Sequence, residues 1–353
     1  MTKNDLKSFL NKKPSYLKKG KKYLSETFGV SLDDAKLALK EVKQENKVFE
    51  PVAKLSQDAE KYLAKIKENQ TKVERALMFN SPRIIKDEVI EKFNNHREFY
   101  TPSIKDQVGM HILLGCNHVP FHNKQLHKGI IELIKDYPDL KGFHLLGDFL
   151  DLNPLSSHDK GKFTAVRGLT LNDEYQIGSD LLYDFDAVLP KNVWKTYLYG
   201  NHEDRYNRWM SEMNNAKTPL ISPEDGLRLW ERGYNVKTSW SQDYITLGLN
   251  FDIFHGIYFS IHNAKAHLDK LRRSCAYVHT HRTQVYREGE MAAYNIGSCA
   301  DFTSAAFNYA NRAMKASWSN GFAINMIDKN GISHVTQIYV DPKGHFFFGG
   351  KRY

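Results

Sequence analysis

The chain is 353 residues long, 41% hydrophobic and 12% aromatic, enough apolar material for the cores of two or three domains. No run of about 18 apolar residues occurs, and the lysine-rich N-terminus has no apolar segment behind it. Neither a membrane span nor a secretory signal is therefore indicated, and a cytoplasmic location is expected. Three scattered cysteines, Cys116, Cys275 and Cys299, do not make a disulfide framework, in keeping with a reducing compartment. The net charge of +9 is concentrated at the start, where residues 1–22 hold eight lysines and one acid, against nine lysines and nine acids in residues 23–72. Such a basic arm suits a polyanionic partner, most simply nucleic acid, or else a solubilising tail.

Residues 23–47 predict helix, tight turn, helix. Leu24 and Phe28 supply an apolar face and Gly29 the turn, Ser31 is placed as an N-cap with Asp34 three residues on, and Ala35, Leu39 and Val42 share one side of the second helix. With lysines just upstream this suits a DNA-binding helix-turn-helix, although many two-helix hairpins bind nothing. Residues 1–50 are therefore read as a basic arm and a helix-turn-helix-like module. Residues 51–106 are read as a spacer, with a helix carrying Leu55, Ala59, Tyr62 and Ile66 on one face and a strand-like run from Val73 to Phe79.

From residue 107 to 353 the pattern changes. Apolar strands alternate with amphipathic helices in GMHILLG, QLHKGIIELIKDY, GFHLLGD, EYQIGSDLLYDFDAVL and VWKTYLYGNHE, the signature of an α/β layered core. The last third is richer in strands (DYITLGL, FDIFHG, AYVHTHR, MAAYNIGS, GFAINMID, HVTQIYV, HFFFGG), with one helix near 262–273. A second, mostly antiparallel sheet packed on the first is expected.

Five predicted strands end in polar tips: Cys116, Asn117 and His118; then GDFLD with Asp148 and Asp151; then GNHED with Asn201, His202 and Glu203; then His255 before a glycine; then VHTHR with His279 and His281. Each alone is most simply a capping or hydrogen-bonding residue. Together, in this order, they resemble the calcineurin-like metallophosphoesterases, whose pattern is D-x-H, GD, GNH with an acid, a histidine before glycine, and GHxH. The resemblance implies a four-layer αββα sandwich with a two-metal centre where strand ends of both sheets converge. It implies that Asp148 bridges the metals, that His118 and His281 with the residue at 116 complete one site, and that Asn201, His255 and His279 complete the other.

His202 would hold no metal and would assist the leaving oxygen, oriented by Glu203 or Asp204. The implied reaction is phosphoester hydrolysis by a hydroxide shared between two divalent metals, with no covalent intermediate. On its own chemistry, a set of carboxylate, amide oxygen and imidazole suits Mn, Fe or Zn and not calcium.

Two positions depart from the family. Val278 stands where the last block has glycine, a change expected to cost only local backbone freedom. Cys116 stands where the first block has aspartate, and three readings stay open: a thiolate ligand favouring Zn or Fe, a neutral bystander, or a site that no longer catalyses.

Basic residues near the blocks point to DNA as the ester. Arg205 and Arg208 lie one turn apart, and Lys160, Lys162 and Arg167 follow NPLSSHD, although ordinary surface salt bridges would use the same residues. His158 is a candidate substrate contact. GDFLD followed by LSSHDK, GNHEDRYNRW and FFFGGKRY look similar to phage-encoded relatives of SbcD-type DNA repair nucleases, which implies a manganese-dependent DNA phosphodiesterase. The alternatives are a small-molecule or nucleotide phosphatase, and a catalytically weakened DNA-binding or structural phage protein on the same fold.

Overall fold

The computed structural model describes residues 2–13, 18, 20–42, 100–156, 169–212 and 220–353. The helix expected over Leu55–Ile66, the run Val73–Phe79, the end of the 23–47 motif, His158, Lys160, Lys162 and Arg167 lie outside the described residues. The chain divides into two compact units, Met1–Ile84 and Ile85–Tyr353.

In the first unit the lysine-rich stretch is not a free arm over its first half but helix α1 (Lys3–Lys12), opened by a reciprocal Thr2–Asp5 capping box. Its spacing explains why: Leu6 and Leu10 bury on one face against Leu24, Ala35, Ala38 and Val42. Helix α2 (Lys21–Phe28) stops at Gly29, which takes the left-handed conformation at φ 63 that side chains disfavour. Ser31 Oγ then accepts from the Asp34 amide at 3.0 Å and starts helix α3 over residues 32–42. Helix, glycine turn and capped helix are thus present as expected. Lys3 and Lys7 reach Glu41 at 2.8 and 3.3 Å, tying α1 to α3.

The second unit is built on two sheets. Its elements are β1 (Gly109–Leu114), α4 (Lys124–Asp136), β2 (Gly142–Leu145), α5 (Leu171–Val188), β3 (Trp194–Leu198), α6 (Asp204–Ser211), β4 (Tyr234–Lys237), β5 (Ile245–Leu247), β6 (Phe251–Ile253), α7 (Asn263–Leu271), β7 (Ser274–Tyr277), β8 (Thr283–Glu288), β9 (Met291–Ile296), α8 (Arg312–Ala316), β10 (Gly321–Ile327) and β11 (Ser333–Tyr339), with a closing hairpin of β12 (Phe347–Phe348) and β13 (Lys351–Arg352). The first sheet has the order β11-β10-β1-β2-β3-β4 and the second β5-β6-β7-β9-β8.

β1 to β4 pair in parallel, and β10 lies antiparallel beside β1 with Ile112 opposite Ile324. The second sheet is mixed and not mostly antiparallel: β6, β7 and β9 run parallel, and only the edge strands β5 and β8 pair antiparallel. The difference arises because β10 and β11 return to the first sheet, and because α7 makes the long crossover that parallel pairing of β6 and β7 requires.

Three apolar clusters fix the layers. Leu113, Leu146 and Leu198 of the first sheet meet Ile253, Ala276 and Ile296 of the second between the sheets. Leu126, Ile130 and Leu133 of α4 and Leu182 and Phe185 of α5 cover the outer face of the first sheet. Ala264 and Leu268 of α7 cover the second from outside, against Cys275 and Tyr277. The unit is therefore the expected four-layer αββα sandwich. The parallel strands β1, β2, β3, β6 and β7 all carry their polar tips at their C-terminal ends.

Candidate metal centre

The tips are held in costly backbone conformations. Among the described residues eight non-glycine residues have positive φ, and five of them are Cys116, His118, Asp148, His279 and His281. Left-handed backbone at such residues persists only where the surroundings impose it, and it clusters at functional sites. Two glycines make room for the closure: a Cβ on Gly147 would lie 2.5 Å from the Gly200 nitrogen, and one on Gly200 2.5 Å from the Asp148 nitrogen. Backbone bonds lace the tips together, with His118 N–H donating to the Asp148 carbonyl at 2.8 Å and Cys116 N–H to that of Gly147 at 2.9 Å.

The donor set suits a cation. His255 Nδ1 faces the Leu146 carbonyl at 2.9 Å, and a carbonyl only accepts, so Nδ1 carries the hydrogen. Nε2 faces Asn201 Oδ1 at 3.0 Å and Asp148 Oδ2 at 3.3 Å, where it donates when the ring is protonated and offers a lone pair to a cation when the ring is neutral. Asn201 Oδ1 also meets His279 Nδ1 at 2.8 Å.

The other half repeats the arrangement. His118 Nδ1 faces Asp151 Oδ1 at 3.0 Å, which aims its Nε2 lone pair at His281 Nε2, 2.9 Å away, with Asp148 Oδ2 at 3.8 Å. Separations near 3 Å are the edges of a coordination shell with bonds of about 2.1 Å, and second bonds to a carbonyl and a carboxylate are how metal-binding imidazoles are oriented.

Electrostatics agree. Burial pushes the His118 and His281 imidazoles down and that of His279 down to about 3, leaving neutral rings with free lone pairs. Burial works against ionised Asp148 and Asp151, yet both carboxyls sit well below their ordinary range. His255 is the strongest favourable neighbour of Asp148, and His202 of Asp151. Burial lowers His255, but the Asp148 charge and hydrogen bond, the Leu146 carbonyl and the Glu203 charge together raise it above its ordinary value.

Cys116 Sγ belongs to both halves, grouping with His118 and His281 and with Asp148 and His255, each set within 4.8 Å. It accepts the His279 amide hydrogen at 3.1 Å. Burial and the Asp148 charge push the thiol well above its usual value. Val278 is fully buried and packs where a Cβ on Gly115 would meet it at 2.8 Å, so its side chain fills the space between two tips.

His202 lies at the mouth. Its amide donates to Asp148 Oδ1 at 2.9 Å and its Nδ1–H to the Asp151 carbonyl at 2.8 Å, and Nε2 is 4.0 Å from Asp148 Oδ2. The orienting residue is therefore Asp151, correcting the expectation for Glu203 or Asp204. Glu203 begins the turn into α6 with its side chain directed inward. There it is fully buried and accepts from the amides of Asp148, Leu150 and Gly200 and from the Tyr197 hydroxyl. Asp204 pairs with Arg208 Nε at 3.2 Å.

Arg205 reaches the site, donating to the Asp151 carbonyl at 2.7 Å and lying 3.2 Å from His202 Nε2, whereas exposed Arg208 donates to the Asn201 carbonyl at 3.2 Å. Glu174, which no motif marks, is buried on α5 and accepts from the Leu152 and Asn153 amides, the second at 3.0 Å, fixing the turn behind Asp151.

No family model and no curated protein matches the chain. Among solved structures it is similar to vacuolar protein sorting 29 of Cryptosporidium parvum, at 12% identity over 70% of this chain and 95% of that one, TM-score 0.35. It is similar to a zinc complex of Vps29 of Entamoeba histolytica, at 12% over 69% and 96%, TM-score 0.33. It is also similar to an archaeal phosphodiesterase, at 14% over 65% and 99%, TM-score 0.33.

Proposed function

We propose that the chain is a metal-dependent phosphoesterase of the calcineurin-like type whose substrate is a phosphodiester of DNA. The observation that carries this is that the tips of five strands bring Cys116, His118, Asp148, Asn201, His255, His279 and His281 together, with His202 beside them. Asp148, His118, His281 and Cys116 would hold one divalent ion, and Asp148, Asn201, His255 and His279 a second. Such ions, Mn, Fe or Zn by the donor chemistry, supply Lewis acidity toward a phosphoryl oxygen and make water a nucleophile at neutral pH.

The remaining work falls to protein groups. Asp151 holds His118 and His202 in register through one carboxylate and one carbonyl. His202 keeps Nδ1–H on that carbonyl, so a proton carried at Nε2 passes to the leaving oxygen. The Arg205 guanidinium, beside Nε2, is placed to exchange that contact for a non-bridging phosphate oxygen. The DNA assignment is supported by the net charge of +9 and by the lysine-rich helical first unit.

The test is hydrolysis of bis(p-nitrophenyl) phosphate and of DNA by protein reconstituted with Mn²⁺. His202→Ala and Asp148→Asn should abolish both activities, and only Asp148→Asn should also lower metal content. No turnover of any ester with any divalent ion sinks the proposal, and DNA binding that survives in that case would mark a binding protein on an esterase fold.

A further inference from the structure

The segment after β9 brings aromatic rings to the rim of the centre. Phe307, 2% exposed, sets its ring edge-on to His118 at 5.5 Å and to His281 at 6.2 Å. Trp318 stands 4.8 Å from His281 and 5.1 Å from Phe302. Tyr309 packs against Trp318 at 6.2 Å, yet 70% of it is exposed, although its neighbour Ala310 is buried. Bonds within the segment hold this shape, with Asn311 Oδ1 capping α8 at 2.8 Å and Thr303 Oγ1 donating to Asp301 at 2.6 Å. The Tyr309 hydroxyl lies in the field of Asp151, Asp148 and Arg205.

A ring left in water beside a second ring, tilted 59° to it, offers a face to a planar ligand, and this one is linked to the centre that would hold the scissile phosphate through Trp318, 4.8 Å from His281. We infer that Tyr309, beside Trp318, is a stacking platform for an unpaired nucleobase attached to that phosphate, which makes single-stranded nucleic acid the preferred form of substrate. A base inside a duplex has no free face to offer, whereas every unpaired base does, so the contact selects strandedness and tolerates sequence. This rests on the phosphodiesterase reading. Arg205 at His202 would hold the phosphate while Tyr309 takes the base.

The experiment compares labelled oligothymidylate, an abasic deoxyribose-phosphate oligomer of equal length and duplex DNA by fluorescence anisotropy, with His202→Ala as the background that prevents cleavage. Adding Tyr309→Ala should raise the Kd for oligothymidylate roughly 5- to 150-fold, the equivalent of losing about 1–3 kcal/mol of stacking, and leave the abasic oligomer unchanged. Tyr309→Phe should restore binding, and Trp318→Ala should fall between. Equal affinity for thymidylate and abasic oligomers before Tyr309 is changed would overturn the inference. So would equal losses for both on Tyr309→Ala, or competition by thymidine monophosphate as strong as by the oligomer. Failure of hydrolysis with every metal would sink the esterase reading alone, because the binding comparison does not depend on turnover.

Discussion

Glu203 offers the sharpest test of how the centre is held together. Its Oε2 accepts from the amides of Asp148 and Gly200 at 2.8 and 2.9 Å, and its Oε1 from the Leu150 amide and the Tyr197 hydroxyl at 3.0 and 2.8 Å. Three amide donors and a hydroxyl that here donates face it, so only the carboxylate accepts from all four at once. In Glu203→Gln one oxygen becomes an NH2 group; at the Oε2 position it opposes two buried amides, whereas at Oε1 the Tyr197 hydroxyl can turn to accept from it and only the Leu150 amide is orphaned. The amide takes the second orientation, so the loss is about 1–3 kcal/mol for the one orphaned group, against a total stability of about 5–15 kcal/mol for a domain.

Urea unfolding followed by near-ultraviolet circular dichroism measures this loss, and Tyr197→Phe, which removes one donor and orphans none, should cost less. An unchanged midpoint and slope in Glu203→Gln would show that the tips do not depend on this carboxylate.

Asp151→Ala removes the carboxylate behind His118 Nδ1 but keeps the carbonyl that orients His202. Metal titration should show affinity weakened about 10- to 100-fold, with His202→Ala having no such effect. Cobalt-loaded protein should show sulfur-to-cobalt charge-transfer absorption that Cys116→Asp removes without loss of bound metal; absence of the band in the unaltered protein would make Cys116 a bystander. The interior should also destabilise in acid. Burial takes His111 and His127 each down to about 4 from 6.5, so an unfolded chain protonates first. The stability these neutral rings contribute is complete above pH 6.5 and is lost as pH falls toward 4, on the order of 3 kcal/mol for each ring. Urea midpoints should therefore drop between pH 7.5 and 5, and a flat profile would contradict the buried neutral state.

Much of the sandwich is legible because parallel strands covered on both faces appear as unbroken apolar runs, as in MHILL and FHLL, and because polar residues follow them at once. β8 escapes this logic. It is an edge strand with every position partly or fully exposed, so TQVYRE carries no apolar run. The sheet to which β10 and β11 belong is also hidden, since pairing of β10 with β1 joins segments some two hundred residues apart through a register set only by packing. At the centre the ligand-like residues stand out by spacing, but the direction of a side chain does not. Glu203 and Asp151 both sit among motif residues, and only the turn geometry sends Glu203 beneath the tips and places the Asp151 carbonyl under His202. Tyr309 has no local signal, because its relation to His281 exists only through Trp318.

On the proposed function, a cysteine at 116 in place of an aspartate would keep the site's geometry and change its chemistry. The position asks for an acceptor, since the His279 amide must donate to something buried, and sulfur at 3.1 Å serves as a carboxylate oxygen would. It also asks for a residue that tolerates left-handed backbone, where aspartate is at home and cysteine is strained. Charge is where the two differ. With the thiol protonated, Asp148 is the one anionic donor in the proposed ligand set, a thin counterweight to two divalent ions. Ionising the thiol restores the charge an aspartate would carry. Burial and Asp148 oppose that ionisation in the absence of a cation. If Cys116 holds the ion, the sulfur would do so as a thiolate, its proton passing to solvent, and the site would favour thiophilic metals over magnesium.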